Sequence, residues 1–346
     1  MATRRAVLAG LAGGVAAMRG ATPASASARR RSGPDGGTRV ERTDFTLSHL
    51  IVGWTGDTSP HARLRTASGW TGWTAVHAHD KSGRNWALLP APAAVGYELD
   101  GATGLVAVEL DTRTKSTPSP RRGVPLGPAC AGIPYLSRAA WGADESLRYN
   151  PDGSLAFGPT EFFPVQTLTV HHTDYPNNDP DPAATVRSIY YLQAVTEDWG
   201  DIGYHLLIDE QGRVYEGRWS GPDPVPVFGG APGPDGRPQM VTAAHVAGFN
   251  SGNIGVAIMG DLTSRLPTPA ARRSLDAVLA AFCAIEVLDP LGVTNYVNPV
   301  SGATATVDTI CGHRDWTATQ CPGNYFYPHL PEVRDEVSHL LRAGLT

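Results

Sequence analysis

Residues 311 to 323, CGHRDWTATQCPG, bring two cysteines, a histidine, an arginine and an aspartate together ahead of a Cys-Pro-Gly turn. A second stretch, VHHTD at 170 to 174, closes a β-branched run with paired histidines. A strand alternates its faces, so His171 and His172 point opposite ways and one of them can readily join a given site. That histidine, with His313 and Cys321, would make three ligands of the kinds zinc prefers. Three protein ligands leave the fourth tetrahedral position open, as catalytic rather than structural zinc sites do. The plainer readings are packing histidines, a polar turn or a disulfide loop. The chain has no Cys-x-x-Cys pair, no His-Glu-x-x-His and no Gly-x-Ser-x-Gly, which argues against a closed zinc finger, a thermolysin-like protease and a serine-nucleophile elbow.

The elements that would hold these residues are legible. VQTLTVHH, NIGVAIMG and VDTICGH read as strands, and GYHLLIDEQGRVYEG as a hairpin turning at Gln211-Gly212. DPAATVRSIYYLQAV reads as a helix capped by Asp181 with Pro182 in its first turn, where a missing N–H costs nothing. TPAARRSLDAVLAAFCAIEVL repeats that logic and puts Leu275, Val278, Leu279, Phe282 and Ile285 on one face, with Cys283 also turned inward. A terminal helix follows Pro331. Residues 135–346 thus form a mixed α/β domain, a central β-sheet with packed helices. Ahead of it, 40–112 shows short alternating runs without helical period, which indicates a small all-β sandwich. Residues 113–134 are Pro-rich and basic, as an extended linker would be, and 27–38 read as a disordered lead. Gly221 to Val241 reads as a Pro/Gly-rich loop insertion.

The chain opens with Arg4-Arg5, an apolar run to Met18 and Ala24-Ser25-Ala26. This is the pattern of a signal peptide within 1–28, with a twin-arginine character; its roughly 13 apolar residues fall short of the ~20 that span a bilayer. The expected product is exported and secreted, with no stable membrane insertion. Loss of 1–26 removes three arginines and no acid, taking the formal charge from -5 to -8. An acidic chain is a poor partner for nucleic acid. Were Cys321 a metal ligand, Cys283 and Cys130 would be the possible partners for Cys311. His77 and His79 share a strand face without a third ligand, and Trp70 and Trp73 read as sandwich core or as a sugar platform.

VHHT, WGDIGYHLLID, YEGR, AAHVAGFNSGNIGVAIMGD and GHRDWTATQCPG occur in this order after SRAAWGADES. In this the chain resembles, from Tyr135 to its end, the amidase and peptidoglycan recognition protein family, whose catalytic members are zinc-dependent N-acetylmuramoyl-L-alanine amidases (EC 3.5.1.28). The resemblance implies His171, His313 and Cys321 as Zn2+ ligands, and Tyr204 and Thr319 as catalytic residues that orient water or donate to a developing oxyanion. An unperturbed tyrosine, with a pKa of about 10, would be a poor base at neutral pH. It implies Trp199, His245 and Asn250 as substrate contacts and a peptidoglycan or muropeptide substrate, cut between N-acetylmuramic acid and L-alanine by a monomer. Asp198-Trp199 departs from the Gly-Trp pair associated with one stem-peptide class, which leaves stem preference open. The rival function is a recognition protein of the same fold that binds muropeptide without cutting it; in such proteins the cysteine ligand is typically replaced.

Overall fold

The computed structural model describes residues 27–32, 37–78, 84–114, 133–222 and 225–344. The expected signal segment, His79, Cys130 and most of the expected linker lie outside these residues. Among the described residues no helix is long and apolar enough to cross a membrane.

The N-terminal unit is two packed antiparallel sheets. One has the strand order Ser27–Ser32, Thr103–Asp111, Leu47–Thr55, Asn85–Ala94. The other runs Gly37–Val40, Gly96–Asp100, His61–Thr66, Gly69–Trp70, with Thr74–Ala75 pairing onto His61–Thr66. Alternation along Leu47–Thr55 turns Leu50, Val52 and Trp54 toward Tyr97 and Leu99, and Ile51 to the opposite face. Ser27–Ser32, expected as disordered lead, is an edge strand in register with Val106–Asp111. Its basic composition does not prevent this, because the guanidinium of Arg31 meets the carboxylate of the fully buried Glu109. Trp70 and Trp73 are not core: Trp73 is 44% exposed, and the guanidinium of Arg63 sits 4.9 and 4.8 Å from the two indole rings.

The C-terminal unit is built on a six-stranded mixed sheet. Its order is Tyr135–Leu136, Val214–Glu216, Leu206–Ile208, Asn253–Ile258, Thr167–His172, Ile310–Gly312. Only the hairpin pair Leu206–Ile208 and Val214–Glu216 is antiparallel; it turns where Gly212 takes a φ of +79°, open to glycine without strain. The two central strands, Asn253–Ile258 and Thr167–His172, are buried throughout, as strands covered on both faces must be.

Helices Pro269–Glu286 and Leu330–Gly344 cover one face, setting Val278, Phe282, Val333 and Val337 against Leu168, Val170, Ile254 and Val256. Helix Pro182–Tyr191 covers the other. Both expected caps form: Asp181 accepts from the Ala184 amide and Thr268 from the Ala271 amide, each at 3.1 Å. Residues Gly221 to Val241 are more than loop, since Phe228–Gly229 and Gln239–Val241 join Phe162–Phe163 in a three-stranded sheet. The β-pairing of Gln239–Val241 was masked in the sequence by the prolines and glycines around it.

Helix Pro182–Tyr191 lies between two sheets. Val186, Ile189 and Tyr190 share one apolar cluster with Ile51, Leu88, Val106, Val108 and Leu110 of the N-terminal unit. Polar contacts fix the same seam. The Thr112 hydroxyl is 2.9 Å from both the Ala184 carbonyl and the Ser188 hydroxyl, Arg187 Nε donates to the Thr112 carbonyl, and His49 Nε2 is 3.1 Å from Thr185 Oγ1. The linker region therefore joins units that are already packed together.

Cys283 and Cys311 are free, so the bridge considered between them does not form. Cys283 sits in the apolar cluster with Ile310. Cys311, one residue further along the strand, faces the opposite side, 3.4 Å from Thr169 Oγ1.

Candidate metal centre

His171, His313 and Cys321 come together at the C-terminal ends of two neighbouring parallel strands, with their ligand atoms all within 4.8 Å of one another. His171 is the penultimate residue of the strand Thr167–His172, and His313 opens a single helical turn after Ile310–Gly312. That turn is pinned by Asp315, which accepts from the Gly312 amide at 2.7 Å and from the Tyr327 hydroxyl. Arg314 folds the loop back onto itself: its amide donates to the Cys321 carbonyl at 3.2 Å, and its guanidinium reaches the Gln320 carbonyl and Asn324. Trp316 anchors the loop to the sheet through a 2.9 Å bond from its indole N–H to Thr169. The arginine and aspartate of the motif are therefore what bring Cys321 back beside His313.

The donor set fits a zinc ion. Zn–S near 2.3 Å and Zn–N near 2.0–2.1 Å at a tetrahedral angle put the sulfur and nitrogen about 3.6 Å apart; Cys321 Sγ and His171 Nδ1 are 3.6 Å apart. Burial first, then the neighbouring His313 and His245, holds His171 well below the usual imidazole range. Burial also pushes the Cys321 thiol up to about 12. A thiolate there needs a cation beside it, and the amide of His172 already donates to its sulfur at 3.4 Å.

His172 takes the other face, as alternation requires. Its Nδ1 accepts from the Leu262 amide at 3.1 Å. It stands near Asp174 and Asp261, but with Nδ1 accepting, the neutral ring carries its proton on Nε2 and offers no lone pair to a metal. Asp174 is pushed up to about 6 by burial and by Asp261, with His77 of the N-terminal unit acting in the opposite sense.

Of the remaining residues singled out in the sequence, Tyr204 is half-buried with its ring 5.3 Å from that of His171. Thr319 Oγ1 accepts from the Cys321 amide at 3.2 Å. Trp199 is half-buried and packs over Gly203, next to Tyr204. His245 is 7% exposed, and both ring nitrogens are taken up inside the protein, by His171 at 3.0 Å and by the Asn253 carbonyl at 2.9 Å. That leaves His245 no ring nitrogen for a substrate, contrary to the contact expected of it. Asn250 Oδ1 accepts from the amides of His245 and Val246, so this oxygen is spent on shaping their loop.

Sequence reasoning passed over His205, the histidine of GYH. Its Nε2 donates to the Val241 carbonyl at 2.7 Å and its Nδ1 accepts from the Gly255 amide at 2.9 Å; burial lowers it to about 4. It also passed over Arg218 of YEGR, whose amide donates to the Tyr204 carbonyl at 2.8 Å. Arg218 is 7% exposed, stacks its guanidinium 4.7 Å from the Phe157 ring, and has no ion pair among the described residues. With Arg148, Glu161, Trp219 and Thr242 it lines a cavity of about 170 Å³. Motif membership was the one signal in the sequence for either residue.

Residues 161–324 match the family model described as N-acetylmuramoyl-L-alanine amidase. A human N-acetylmuramoyl-L-alanine amidase is 32% identical over 171 residues, 47% of this chain and 23% of the relative. The Drosophila melanogaster peptidoglycan-recognition protein LB is 25% identical over 221 residues, 61% of this chain and 75% of the relative. This chain thus spans about a quarter of the human amidase it matches. Among solved structures, Drosophila peptidoglycan recognition protein SD covers 58% of this chain and 94% of its own at 22% identity and a TM-score of 0.41.

Proposed function

Because residues 161–324 match the family model described as N-acetylmuramoyl-L-alanine amidase, we propose that the protein hydrolyses the amide between N-acetylmuramic acid and L-alanine in peptidoglycan or its fragments, with zinc as cofactor. The observation that carries this reading is the convergence of His171, His313 and Cys321 within 4.8 Å of one another. Bound there, zinc would supply Lewis acidity toward the amide carbonyl and bring the pKa of a water to about 7.

The chain's own residues do the rest. Tyr204, whose ring lies beside that of His171, and Thr319, two residues before Cys321, would donate hydrogen bonds to the amide oxygen as charge builds on it or orient the water. Trp199 and the Nδ2 of Asn250 are the substrate contacts retained in this reading. The Arg218 guanidinium at the 170 Å³ cavity suits a carboxylate of a stem peptide. The Arg4-Arg5 leader supports action outside the cytoplasm after twin-arginine export.

Digestion of purified muropeptides read by mass spectrometry tests the bond. Free L-alanyl stem peptide and unsubstituted muramic acid are expected. Muropeptides held tightly but returned intact would defeat hydrolysis in favour of recognition, the function named for the Drosophila relative.

A further inference from the structure

We propose that His245 is a positioning residue that holds His171 in the tautomer a metal ligand needs. The inference rests on reading His171, His313 and Cys321 as a metal site, and it adds to that site a residue that neither binds the metal nor meets substrate.

A single carbonyl sets the chain of protons. The Asn253 carbonyl oxygen can only accept, and His245 Nε2 lies 2.9 Å from it, so Nε2 carries the His245 proton. A neutral imidazole has one such proton, which makes His245 Nδ1 an acceptor. Its partner at 3.0 Å is His171 Nε2, which must donate. His171 Nδ1 is then left with a bare lone pair, and Nδ1 is the atom that faces Cys321 Sγ at 3.6 Å. Groups that hydrogen-bond the far nitrogen of a ligand histidine, and so fix its tautomer and ring orientation, are worth a measurable share of metal affinity.

The His245 ring is itself held from every side. It stands edge-on to His171 at 88° and to His205 at 72°. Below it, Gly255 is glycine for want of room, because a Cβ there would come within 2.5 Å of the ring. His205 in turn is fixed by Val241 and by the Gly255 amide, so it cannot rotate to take the place of either neighbour in the relay. Asn250 Oδ1 holds the His245 amide at 2.9 Å and fixes the loop that carries the ring. Nothing in this arrangement is spent on solvent.

The test is ¹⁵N NMR of the metal-free chain together with zinc affinity by chelator competition. In the wild type His171 and His245 should both be protonated at Nε2. His245→Asn puts an amide oxygen where Nδ1 was and should keep zinc affinity within about threefold; His245→Leu should weaken it about 10- to 100-fold and give His171 mixed tautomers. Wild-type His171 protonated at Nδ1, or His245→Leu binding zinc as tightly as the wild type, overturns the proposal. Where the leucine variant does not fold, the wild-type spectrum and the asparagine variant decide. If wild type and Cys321→Ser bind zinc equally weakly, the metal reading itself fails, and the His171 tautomer in the metal-free chain still decides the positioning.

Discussion

Cys321 Sγ stands 3.6 Å from His171 Nδ1, although 150 residues separate them in the chain. One sits at a strand end and the other at the close of a loop folded by Arg314 and Asp315, so both strand pairing and loop closure must be right before the two can share a cation. Cys321→Ser replaces a soft thiolate with a neutral hydroxyl. Zinc content is expected to fall from about one per chain to below about a tenth, with amidase activity lost in parallel. Metal analysis after gel filtration checks this, and full zinc content in the variant would contradict it.

Tyr204 touches the His171 ring without being among the three ligand residues, so its hydroxyl can be removed with the ligand set intact. Tyr204→Phe should lower kcat by about 10² to 10³, the usual cost of one oxyanion donor, with zinc content unchanged. Thr319→Val should also lower kcat. Steady-state kinetics on a soluble muropeptide separates this from an effect on KM alone.

Leu110 is fully buried where the N-terminal sheet meets helix Pro182–Tyr191. Leu110→Ala should destabilise the protein by about 2–5 kcal/mol. Because that helix belongs to both packed faces, the two units should unfold in one calorimetric transition that shifts as a whole. Two separate transitions, with only the first displaced, would show that the seam does not couple them.

His49 lies in the same seam, and burial first, then Arg187 and Arg113, lowers it to about 3. Between pH 6.5 and about 3 the unfolded chain binds a proton there that the folded chain refuses, so this residue's contribution to stability is intact above pH 6.5 and is lost as the pH falls through that window. At pH 4 the loss amounts to about 3 kcal/mol at most. His49→Gln can keep a bond to Thr185 and has no such proton to bind. Urea unfolding at pH 7 and pH 4 should show a smaller drop for the variant; equal drops would place the acid sensitivity elsewhere.

The local structure around the site was written in the sequence. Asp181 and Thr268 cap the helices they precede, and Gly212 turns the hairpin because the chemistry of each is complete within a few residues. Alternation along Thr167–His172 required His171 and His172 to part, and the family motifs pointed to His171 as the one that joins His313 and Cys321. What a chain segment does beyond its own span was less legible. Ser27–Ser32 looks unstructured alone and becomes a strand because Thr103–Asp111 offers an edge and Glu109 a buried charge for Arg31.

Tertiary structure alone decided the rest. His245 looked like a residue for substrate, and only the approach of Asn253 and Gly255 from one strand and His171 from its neighbour turns it into an internal hydrogen-bond link. Helix Pro182–Tyr191 shows one amphipathic pattern in sequence, yet it is buried between two sheets because a second unit covers the side that water would otherwise have met. Sequence determined which atoms could bind a cation and which faces were apolar, since those are properties of residues and their spacing. Which nitrogen of His171 is free, and what lies against each face, depend on partners carried by other elements of the chain, and so belonged to the fold.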